Sequence, residues 1–457
     1  MTSRRKFLSQ WAGAGAAGLG AGLGMFSLSG HSASPTGYKA LVVIHLNGGN
    51  DANDMIVPTD AAFSDYTKAR PSIALKSDML LAISGTHLGH KMALNTACSS
   101  LLPLFNSGRL GFVVNAGALV KPTTAAQVLN GTATLPPYLY SHPEQTQYMQ
   151  GWTGDEDPSG WGGRALENMD PGRTFKAPLI TINTNDNTLV LGQKSRVINA
   201  NSGGSRYMGR ADLTDSTNRW TQILESLTRL QSVNNVEAEY ARTFKGVFSD
   251  SKQLALADSM AQNPSGNFAS DDIAVRLQYA AKIIPFYKST GATRQIFQIQ
   301  WGSFDTHANQ RYTSVMTGNA SQDTQLAQLA NALAAFDESM VKAGLGNEVA
   351  VLITSEFGRT LDPAAGYGSD HAWGSHWMVM GGGVNGGRFY GDKFPSLVLG
   401  GVDDAHNQKR GYWVPQFSSD QVAADLLMWL GLPADQLTKV MPNLVNFSKK
   451  SVGFMNG

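Results

Sequence analysis

The sequence predicts an α/β fold: a doubly wound, mostly parallel β-sheet with helices on both of its faces. Three observations lead to this prediction. Nearly continuous apolar runs are typical of strands buried on both faces, helical patterns separate several of these runs, and polar residues follow directly after them. Strands that alternate with helices form parallel sheets through right-handed crossovers, and ligands then gather at the carboxyl edge of the sheet.

Four apolar runs are the predicted strands. They comprise residues 38–46, 110–115, 294–301 and 348–354, and a fifth apolar run follows at 377–381. Val and Ile recur in these runs, and their branched side chains fit the pleated surface of a buried sheet.

Helical patterns lie between the predicted strands. The clearest spans 325–342, with Ser321 as its N-cap and Gly344 directly after its end. Its apolar residues are spaced by three and four positions, as on one face of a helix; they are Leu326, Leu329, Leu333, Phe336 and Met340. Residues 220–233 and 273–287 also have helical patterns.

The segment 203–266 is polar and helical in pattern, and it interrupts the series of strands. We interpret it as a helical cap inserted beside the ligand-binding edge of one domain, which extends over residues 38–450. The length of 457 residues is compatible with one large α/β domain that carries insertions.

The first 33 residues have the pattern of a signal peptide. A basic start, Ser3-Arg4-Arg5-Lys6-Phe7-Leu8, precedes an uncharged stretch with six Gly and five Ala among eighteen residues. The basic start resembles a twin-arginine export signal, which predicts export of the folded protein by the twin-arginine machinery to the periplasm or the medium. An ordinary signal or a basic N-terminal helix is the alternative.

The uncharged stretch of the signal is too short and too rich in Gly and Ala for a membrane span. The sequence therefore predicts that the protein is not an integral membrane protein. Removal of Arg4, Arg5 and Lys6 with the signal leaves 33 basic against 35 acidic residues, a net charge of −2.

The composition excludes several classes of protein. Charged residues make up 16% of the chain and the net charge is +1, so a disordered chain, a coiled coil and a nucleic-acid-binding protein are all disfavoured. Cys98 is the single cysteine. The chain therefore has no internal disulfide and no metal site built on paired thiolates.

Carboxylates and histidines follow three of the predicted strands. They are Asp51 after the first strand, Asp305 and His307 after the third, Glu356 after the fourth, and Asp370, His371 and His376 in the next loop and run. Carboxylates placed so close together repel one another unless a cation lies among them. Imidazole and carboxylate ligands suit Zn, Mn or another divalent ion, whereas a mostly oxygen set suits Ca or Mg.

Each of these residues also has a structural alternative. Asp51 fits a helix N-cap or an Asx turn, Glu356 fits an ion pair with Arg359, and Asp370 with His371 fits a hydrogen-bonded pair in a loop. The joint pattern favours a metal site, because independent accidents would have to coincide at one edge of the sheet.

A series of motifs in this order resembles the domain of unknown function 1501 (DUF1501) family, over roughly residues 38–450. The motifs are Leu46-Asn-Gly-Gly-Asn-Asp51, Tyr140-Ser141-His142-Pro-Glu-Gln145, Ser159-Gly160-Trp161-Gly-Gly-Arg164, Phe304-Asp305-Thr-His307, Ser355-Glu356-Phe357-Gly358-Arg359-Thr360 and Ser369-Asp370-His371, followed by Gly381-Gly-Gly-Val-Asn-Gly-Gly387 and Tyr390-Gly391. The family is similar to the alkaline phosphatase and sulfatase superfamily.

The resemblance implies an alkaline-phosphatase-like fold and a metal-dependent hydrolase that acts on a phosphate or sulfate ester of a small molecule or a glycan. It implies one or two divalent metal ions. By position, the ligands would be Asp51, Asp305, His307 and Glu356, together with His371 or His376.

Ser141 would be the nucleophile, with His142 beside it as a ligand or proton donor. The alternative for Ser141 is a capping box with Glu144. Arg359, Arg164 and Asp370 are the candidates for substrate binding.

The spacing Asp305-Thr-His307 and the pair Glu356-Phe357 depart from the pattern of the superfamily. These departures leave open a single metal ion. They also leave open a non-catalytic exported protein that keeps the fold and serves in binding or assembly.

Overall fold

The computed structural model describes residues 37–154, 156–184, 187–311 and 321–456. The export signal predicted over residues 1–33 lies outside this part of the chain. Within the described part, no helix is both long and apolar enough to cross a membrane.

Strands make up the sheets in the following chain order. They are β1 (Lys39–Leu46), β2 (Ile56–Pro58), β3 (Leu80–Ala82), β4 (Met92–Asn95), β5 (Leu110–Gly117), β6 (Leu179–Ile182), β7 (Ile198–Ala200), β8 (Tyr207–Met208), β9 (Ala211–Asp212), β10 (Arg294–Trp301), β11 (Val349–Ser355), β12 (Arg359–Ala364), β13 (Gly368–His371), β14 (Ser375–Gly381), β15 (Phe389–Tyr390) and β16 (Phe417–Ser418).

The α-helices follow the same chain order. They are α1 (Ala62–Ala69), α2 (Leu102–Asn106), α3 (Ala125–Leu129), α4 (His142–Met149), α5 (Trp161–Met169), α6 (Arg219–Leu227), α7 (Asn235–Met260), α8 (Asp272–Ser289), α9 (Gln322–Lys342), α10 (Ser419–Leu430) and α11 (Leu437–Val440). The predicted N-cap of α9 is confirmed, because the Ser321 side chain accepts a hydrogen bond from the Thr324 N–H. The helix predicted over 220–233 ends earlier, at Leu227.

The central sheet confirms the predicted fold class. Its strand order is β15-β5-β14-β11-β1-β10-β6-β7, with β16 beside β5. β1 pairs in parallel with β10 and β11, and Ile44 lies opposite both Ile299 and Ile353. The carboxyl ends of β1, β10 and β11 therefore meet at one edge. β14 is antiparallel to β11 and β5, so its amino end lies at that same edge.

Apolar layers cover both faces of the sheet. Alternate residues of β1 point to opposite faces, as in any strand: Val42 and Ile44 belong to one apolar cluster, and Leu41 and Val43 belong to the other. Helices α8 and α9 contribute to the first cluster and α10 to the second. The central strands are therefore buried on both sides, as their continuous apolar runs predict.

The segment 203–266 folds into the short hairpin of β8 and β9 followed by α6 and α7. It has a small apolar cluster of its own around Leu213 and Phe248. Leu254 and Ala257 of α7 join the cluster that covers the sheet. The role of this segment as a cap over a ligand stays a prediction.

His376, one of the predicted metal ligands, lies in the core. It belongs to β14, is 2% exposed, and packs against the rings of Phe394 and Trp413. Its Nδ1 accepts a hydrogen bond of 3.1 Å from the Asn115 N–H. Burial lowers the pKa of His376 to about 3, and the nearby charge of Asp51 opposes that shift only in part.

The neutral, buried His376 predicts a loss of stability in weak acid. An unfolded histidine has a pKa near 6.5, so the unfolded state takes up a proton first as the pH falls below that value. The contribution of the neutral His376 ring to the free energy of unfolding is complete well above pH 6.5. It declines by about 2 kcal/mol between pH 7 and pH 5. Urea unfolding of the wild type and of His376→Asn at both pH values measures this change in the free energy of unfolding.

We expect the stability advantage of the wild type over His376→Asn to narrow by that amount at pH 5. An advantage that is equal at both pH values would show that His376 does not titrate on unfolding.

Candidate functional site

His142, Asp305 and His371 form a compact group at the carboxyl edge of the central sheet. One ligand atom from each of the three lies within 4.8 Å of the other two. His142 begins α4, Asp305 follows β10, and His371 ends β13. The structure thus brings together residues that are far apart in the sequence.

The carboxylate of Asp305 is the centre of this group. Its Oδ1 lies 2.9 Å from His307 Nε2 and 3.2 Å from His371 Nε2, and its Oδ2 lies 3.5 Å from His142 Nε2. The Arg359 guanidinium also contacts Oδ1. Partial burial alone would raise the pKa of Asp305, but His142, His371 and Arg359 outweigh burial and hold that pKa well below its usual range.

Each of the three histidines at Asp305 has its Nδ1 next to an oxygen acceptor. The Nδ1 of His142 lies 2.7 Å from Glu356 Oε1, that of His307 lies 2.9 Å from Asp370 Oδ1, and that of His371 lies 2.8 Å from the carbonyl oxygen of Tyr140. In a neutral ring, a proton on Nδ1 satisfies each contact and leaves the Nε2 lone pair able to bind a cation. This is the arrangement of metal-binding histidines, whose second nitrogen donates to a carboxylate or a carbonyl.

The three Nε2 atoms therefore converge on one carboxylate. The Nε2 atoms of His307 and His371 lie only 3.1 Å apart, and the buried Nε2 of His142 has no hydrogen-bond partner in the described part of the chain. Together with Asp305, His142 and His371 form a set of imidazole and carboxylate donors that fits a divalent cation, and His307 Nε2 lies beside this set.

Glu356 lies behind His142 and is 1% exposed. Its Oε1 accepts hydrogen bonds from His142 and from the Gly48 N–H at 2.7 Å, and its Oε2 accepts one from the Ser355 hydroxyl at 3.0 Å. His45 Nε2 lies 3.3 Å from the same Oε2. Both oxygens are thus engaged within the protein, so Glu356 orients His142.

The charge of the His142 ring follows from these neighbours. The carboxylates of Asp305 and Glu356 raise the pKa of His142 to about 9, against the opposing effect of burial. Burial would also raise the pKa of Glu356, but His142 and His45 hold that pKa below its usual range. His142 is therefore protonated at neutral pH unless another cation takes the place of its proton.

Two glycines allow the loops of the site to touch. Gly48 has a positive φ of +104°, and a Cβ there would lie 2.4 Å from the backbone nitrogen of Asp305. A Cβ on Gly368 would lie 2.2 Å from the carbonyl carbon of His307. The segments after β1 and β10 and the β12–β13 hairpin can therefore approach this closely only with glycine at both positions.

Arg359 connects the same segments. It is 2% exposed, and its guanidinium donates to the carbonyl oxygens of Gly48, Gly49 and Ser369 as well as to Asp305. The sequence predicts a substrate-binding role for Arg359. In the structure its donors are used within the protein.

Asp370 is likewise held on both sides. Its Oδ1 contacts His307, and its Oδ2 accepts a hydrogen bond from Arg410. Arg164 lies elsewhere, 8% exposed at α5, and it donates to the carbonyl oxygens of Ser159, Gly151 and Val440. The structure therefore does not bring Arg164 to the group around Asp305.

Asp51 lies in a separate buried network. Its carboxylate is fully buried and forms an ion pair with Arg70, and it also accepts hydrogen bonds from Gln310 at 2.6 Å and from Asn53 at 2.8 Å. Asp51 also caps the short 3₁₀ helix at 52–54, which is the structural alternative that the sequence leaves open. The guanidinium of Arg70 neutralises the charge that was expected to bind a metal.

Ser141 occupies the N-cap position of α4, directly before His142. Its hydroxyl donates to the Glu144 side chain, and that bond lowers the pKa of Glu144. The Ser141 side chain makes no capping bond to the backbone of α4, so the pair is not a complete capping box.

Three groups that support the site could not be predicted from the sequence: His45, the Tyr140 carbonyl and Arg410. His45 lies within an apolar run, where a structural role is the usual expectation. Arg410 lies forty residues from Asp370 in the chain, and nothing in the local pattern links the two.

A cavity of about 480 Å³ opens beside the group. Its lining includes His142, Asp305 and Glu356, and the remaining lining residues come from the segments after β1 and β10, from β10 itself and from α4. A ligand in this cavity would therefore lie against the group around Asp305.

The solved structures to which the chain is similar are distant in sequence. The zinc-bound C-terminal periplasmic domain of EcEptC from Escherichia coli is 10% identical, with 93% of this chain and 89% of that chain covered and a TM-score of 0.35. The PsFucS1 sulfatase from Pseudoalteromonas sp. is 12% identical, with 86% and 72% covered and a TM-score of 0.31. The phosphonate monoester hydrolase SpPMH from Silicibacter pomeroyi is 11% identical, with 87% and 74% covered and a TM-score of 0.31.

Similarity at this level carries no argument about activity. No curated protein matches the chain. The family model for the protein of unknown function DUF1501 matches residues 38–408, and the chain therefore belongs to the DUF1501 family.

Proposed function

We propose that this protein is an exported, metal-dependent hydrolase of the alkaline-phosphatase-like superfamily that cleaves a phosphate or sulfate ester. The observation that carries the proposal is the convergence of three imidazole Nε2 atoms on the Asp305 carboxylate. Each of these rings has its Nδ1 next to an oxygen acceptor.

The proposed metal ligands are His142, His307, His371 and Asp305. A set of three imidazole nitrogens and one carboxylate favours Zn or Mn over Ca or Mg, which prefer oxygen. The proposed set leaves out Asp51 and His376, and Glu356 serves as the residue that orients His142. The donors suffice for one ion. A second ion would need ligands beyond these four residues.

A bound ion would supply Lewis-acid stabilisation of the negative charge that develops on the ester oxygens. The residues of the chain prepare the site for it. Arg359 holds Asp305 in place, and Asp370, itself held by Arg410, orients His307. These contacts support a rigid group that loses little entropy when a ligand binds.

Ser141 is the proposed nucleophile. It lies at the beginning of α4, directly before His142, where backbone N–H groups at a helix N-terminus favour an anion. Its hydroxyl donates to Glu144, so Glu144 is the group in contact that can accept the hydroxyl proton.

A non-catalytic exported binding or assembly protein is the second candidate function. Two contacts favour it: the Ser141 hydroxyl is engaged by Glu144, and the Arg359 donors are taken up by carbonyl oxygens and Asp305. Neither side chain is then available to an ester in the arrangement described.

Export is proposed from the sequence of the first 33 residues. If the twin-arginine machinery recognises them, replacing Arg4 and Arg5 together by Lys will keep the protein in the cytoplasm, although the charge is unchanged. Cell fractionation with immunoblotting measures the location. The pair Arg219→Lys and Arg229→Lys is the matched control. Equal export of both variants would contradict this route.

The metal site predicts that the purified protein binds at least one equivalent of Zn or Mn. Asp305→Asn and His371→Asn each remove a direct ligand, so we expect the affinity to fall at least a hundredfold. Glu356→Gln removes the carboxylate that orients His142, so we expect the metal affinity to fall 10- to 100-fold, the usual effect of losing a partner of a ligating histidine. Isothermal titration calorimetry and elemental analysis measure the affinity and the stoichiometry.

His90→Asn is the matched control, because His90 pairs with Asp60 at a distance of 3.1 Å in a separate, partly exposed histidine–carboxylate pair. It should bind metal as the wild type does. If Asp305→Asn and His371→Asn also keep the full metal content, the site assignment is wrong.

The hydrolase proposal predicts metal-dependent turnover of aryl phosphate or aryl sulfate esters. We expect Asp305→Asn to lower kcat/KM at least a hundredfold, because it loses both a ligand and a charge. Ser141→Ala should abolish any burst of product that reports a covalent intermediate. Assays with Zn, Mn, Ca and Mg in turn measure the turnover. A protein that holds its metal and turns over no ester would instead support the binding role.

A further inference from the structure

We infer that the alcohol portion of the ester is an uncharged, hydroxyl-rich group such as a neutral sugar. The cavity beside Asp305 binds that group through amide and hydroxyl side chains. This inference rests on the proposed function, because it concerns the part of the substrate that the proposed metal site does not contact.

The cavity has two kinds of wall. His142, Asp305 and Glu356 form the charged wall. Elsewhere the lining is uncharged: it includes the polar residues Asn47, Thr146, Gln147, Gln300 and Ser303, Gly48, Pro143 and Gly302 complete it, and most of its exposed surface is apolar. The volume of about 480 Å³ lies within the range of small-ligand sites. An ester group at the charged wall would therefore place its alcohol portion against an uncharged wall that combines apolar surface with amides and hydroxyls.

The amides of Asn47 and Gln147 match the hydrogen bonding of a sugar. A primary amide both donates and accepts hydrogen bonds, and so does a hydroxyl group. Both residues are half-buried. In the described part of the chain, neither side-chain amide is bonded to another residue. Both amides therefore keep their hydrogen-bonding capacity for a ligand.

The lining also argues against other alcohols. Apart from His142, Asp305 and Glu356, the described lining residues include neither a basic nor an aromatic side chain. A second phosphate or sulfate on the ligand would lack a cationic partner, and a nucleobase or aryl ring would lack a stacking partner. The chemistry of the walls therefore favours a neutral polyol over a nucleotide or a polyanion.

The positions of these residues tie the cavity to the metal group. Asn47 follows β1 and Ser303 follows β10, the strand that precedes Asp305, while Gln147 lies on α4 after His142. The same strand ends and the same helix thus carry both proposed metal ligands and uncharged residues that line the cavity. The two should act on one substrate molecule.

The test compares esters that share the reacting group and differ in the alcohol. For the metal-loaded enzyme, each kcat/KM is divided by the rate of uncatalysed hydrolysis of the same ester. This ratio should be higher for glucose 6-phosphate and galactose 6-sulfate than for the matching 4-nitrophenyl esters and for AMP. Gln147→Leu keeps the size of the side chain and removes its hydrogen bonds. We expect this variant to lower the ratio of hexose-ester to aryl-ester kcat/KM about tenfold, through KM. Gln408→Leu, in an exposed loop, is the control and should leave the ratio unchanged.

A ratio that is the same in the wild type and in Gln147→Leu would overturn the inference while leaving the hydrolase proposal intact. Absence of turnover with every ester would overturn the proposed function instead.

A binding measurement then decides the inference separately. Saturation-transfer NMR with the methyl glycosides of glucose, galactose and mannose should show binding to the wild type and a loss of binding in Gln147→Leu. Failure of all three glycosides to bind the wild type would overturn the inference.

Discussion

The geometry of the site depends on the hydrogen bonds that the buried guanidinium of Arg359 donates. It donates to the carbonyl oxygens of Gly48 and Ser369 and to the carboxylate of Asp305. These acceptors belong to the segments after β1 and β10 and to β13, so one side chain joins three separate parts of the chain. A buried guanidinium is tolerated only when its charge is paired and its donors are satisfied. Each segment therefore has to meet Arg359 in one particular position.

The orientation of the histidine rings follows from the loops that Arg359 holds. Glu356, Asp370 and the carbonyl oxygen of Tyr140 contact the Nδ1 atoms, so the three Nε2 atoms face the Asp305 carboxylate. Groups that are oriented before a ligand arrives lose little entropy on binding it. The uncharged lining of the adjacent cavity comes from the same strand ends and from α4, so the proposed metal site and the proposed site for the alcohol share one edge of the sheet.

Much of the site could be predicted from the sequence, because the carboxyl ends of parallel strands must share an edge. Asp305 and His307 follow β10 and Glu356 follows β11, and the structure places all three together as their positions indicate. Asp51 has the same kind of position after β1, yet Arg70 pairs with it in a buried network. That ion pair joins residues nineteen positions apart, and no local pattern distinguishes a carboxylate that binds a metal from one that binds an arginine.

The sequence alone determined the fold class, the edge at which the polar residues gather and the residue types available there. Apolar periodicity encodes these features locally. Only the tertiary structure separates His371 from His376. β14 runs antiparallel to its neighbours and places His376 in the core against Phe394 and Trp413, while His371 contacts Asp305 from the adjacent hairpin. The direction of a strand and the partner of a buried charge depend on contacts between distant segments, and the spacing of residues along the chain does not contain that information.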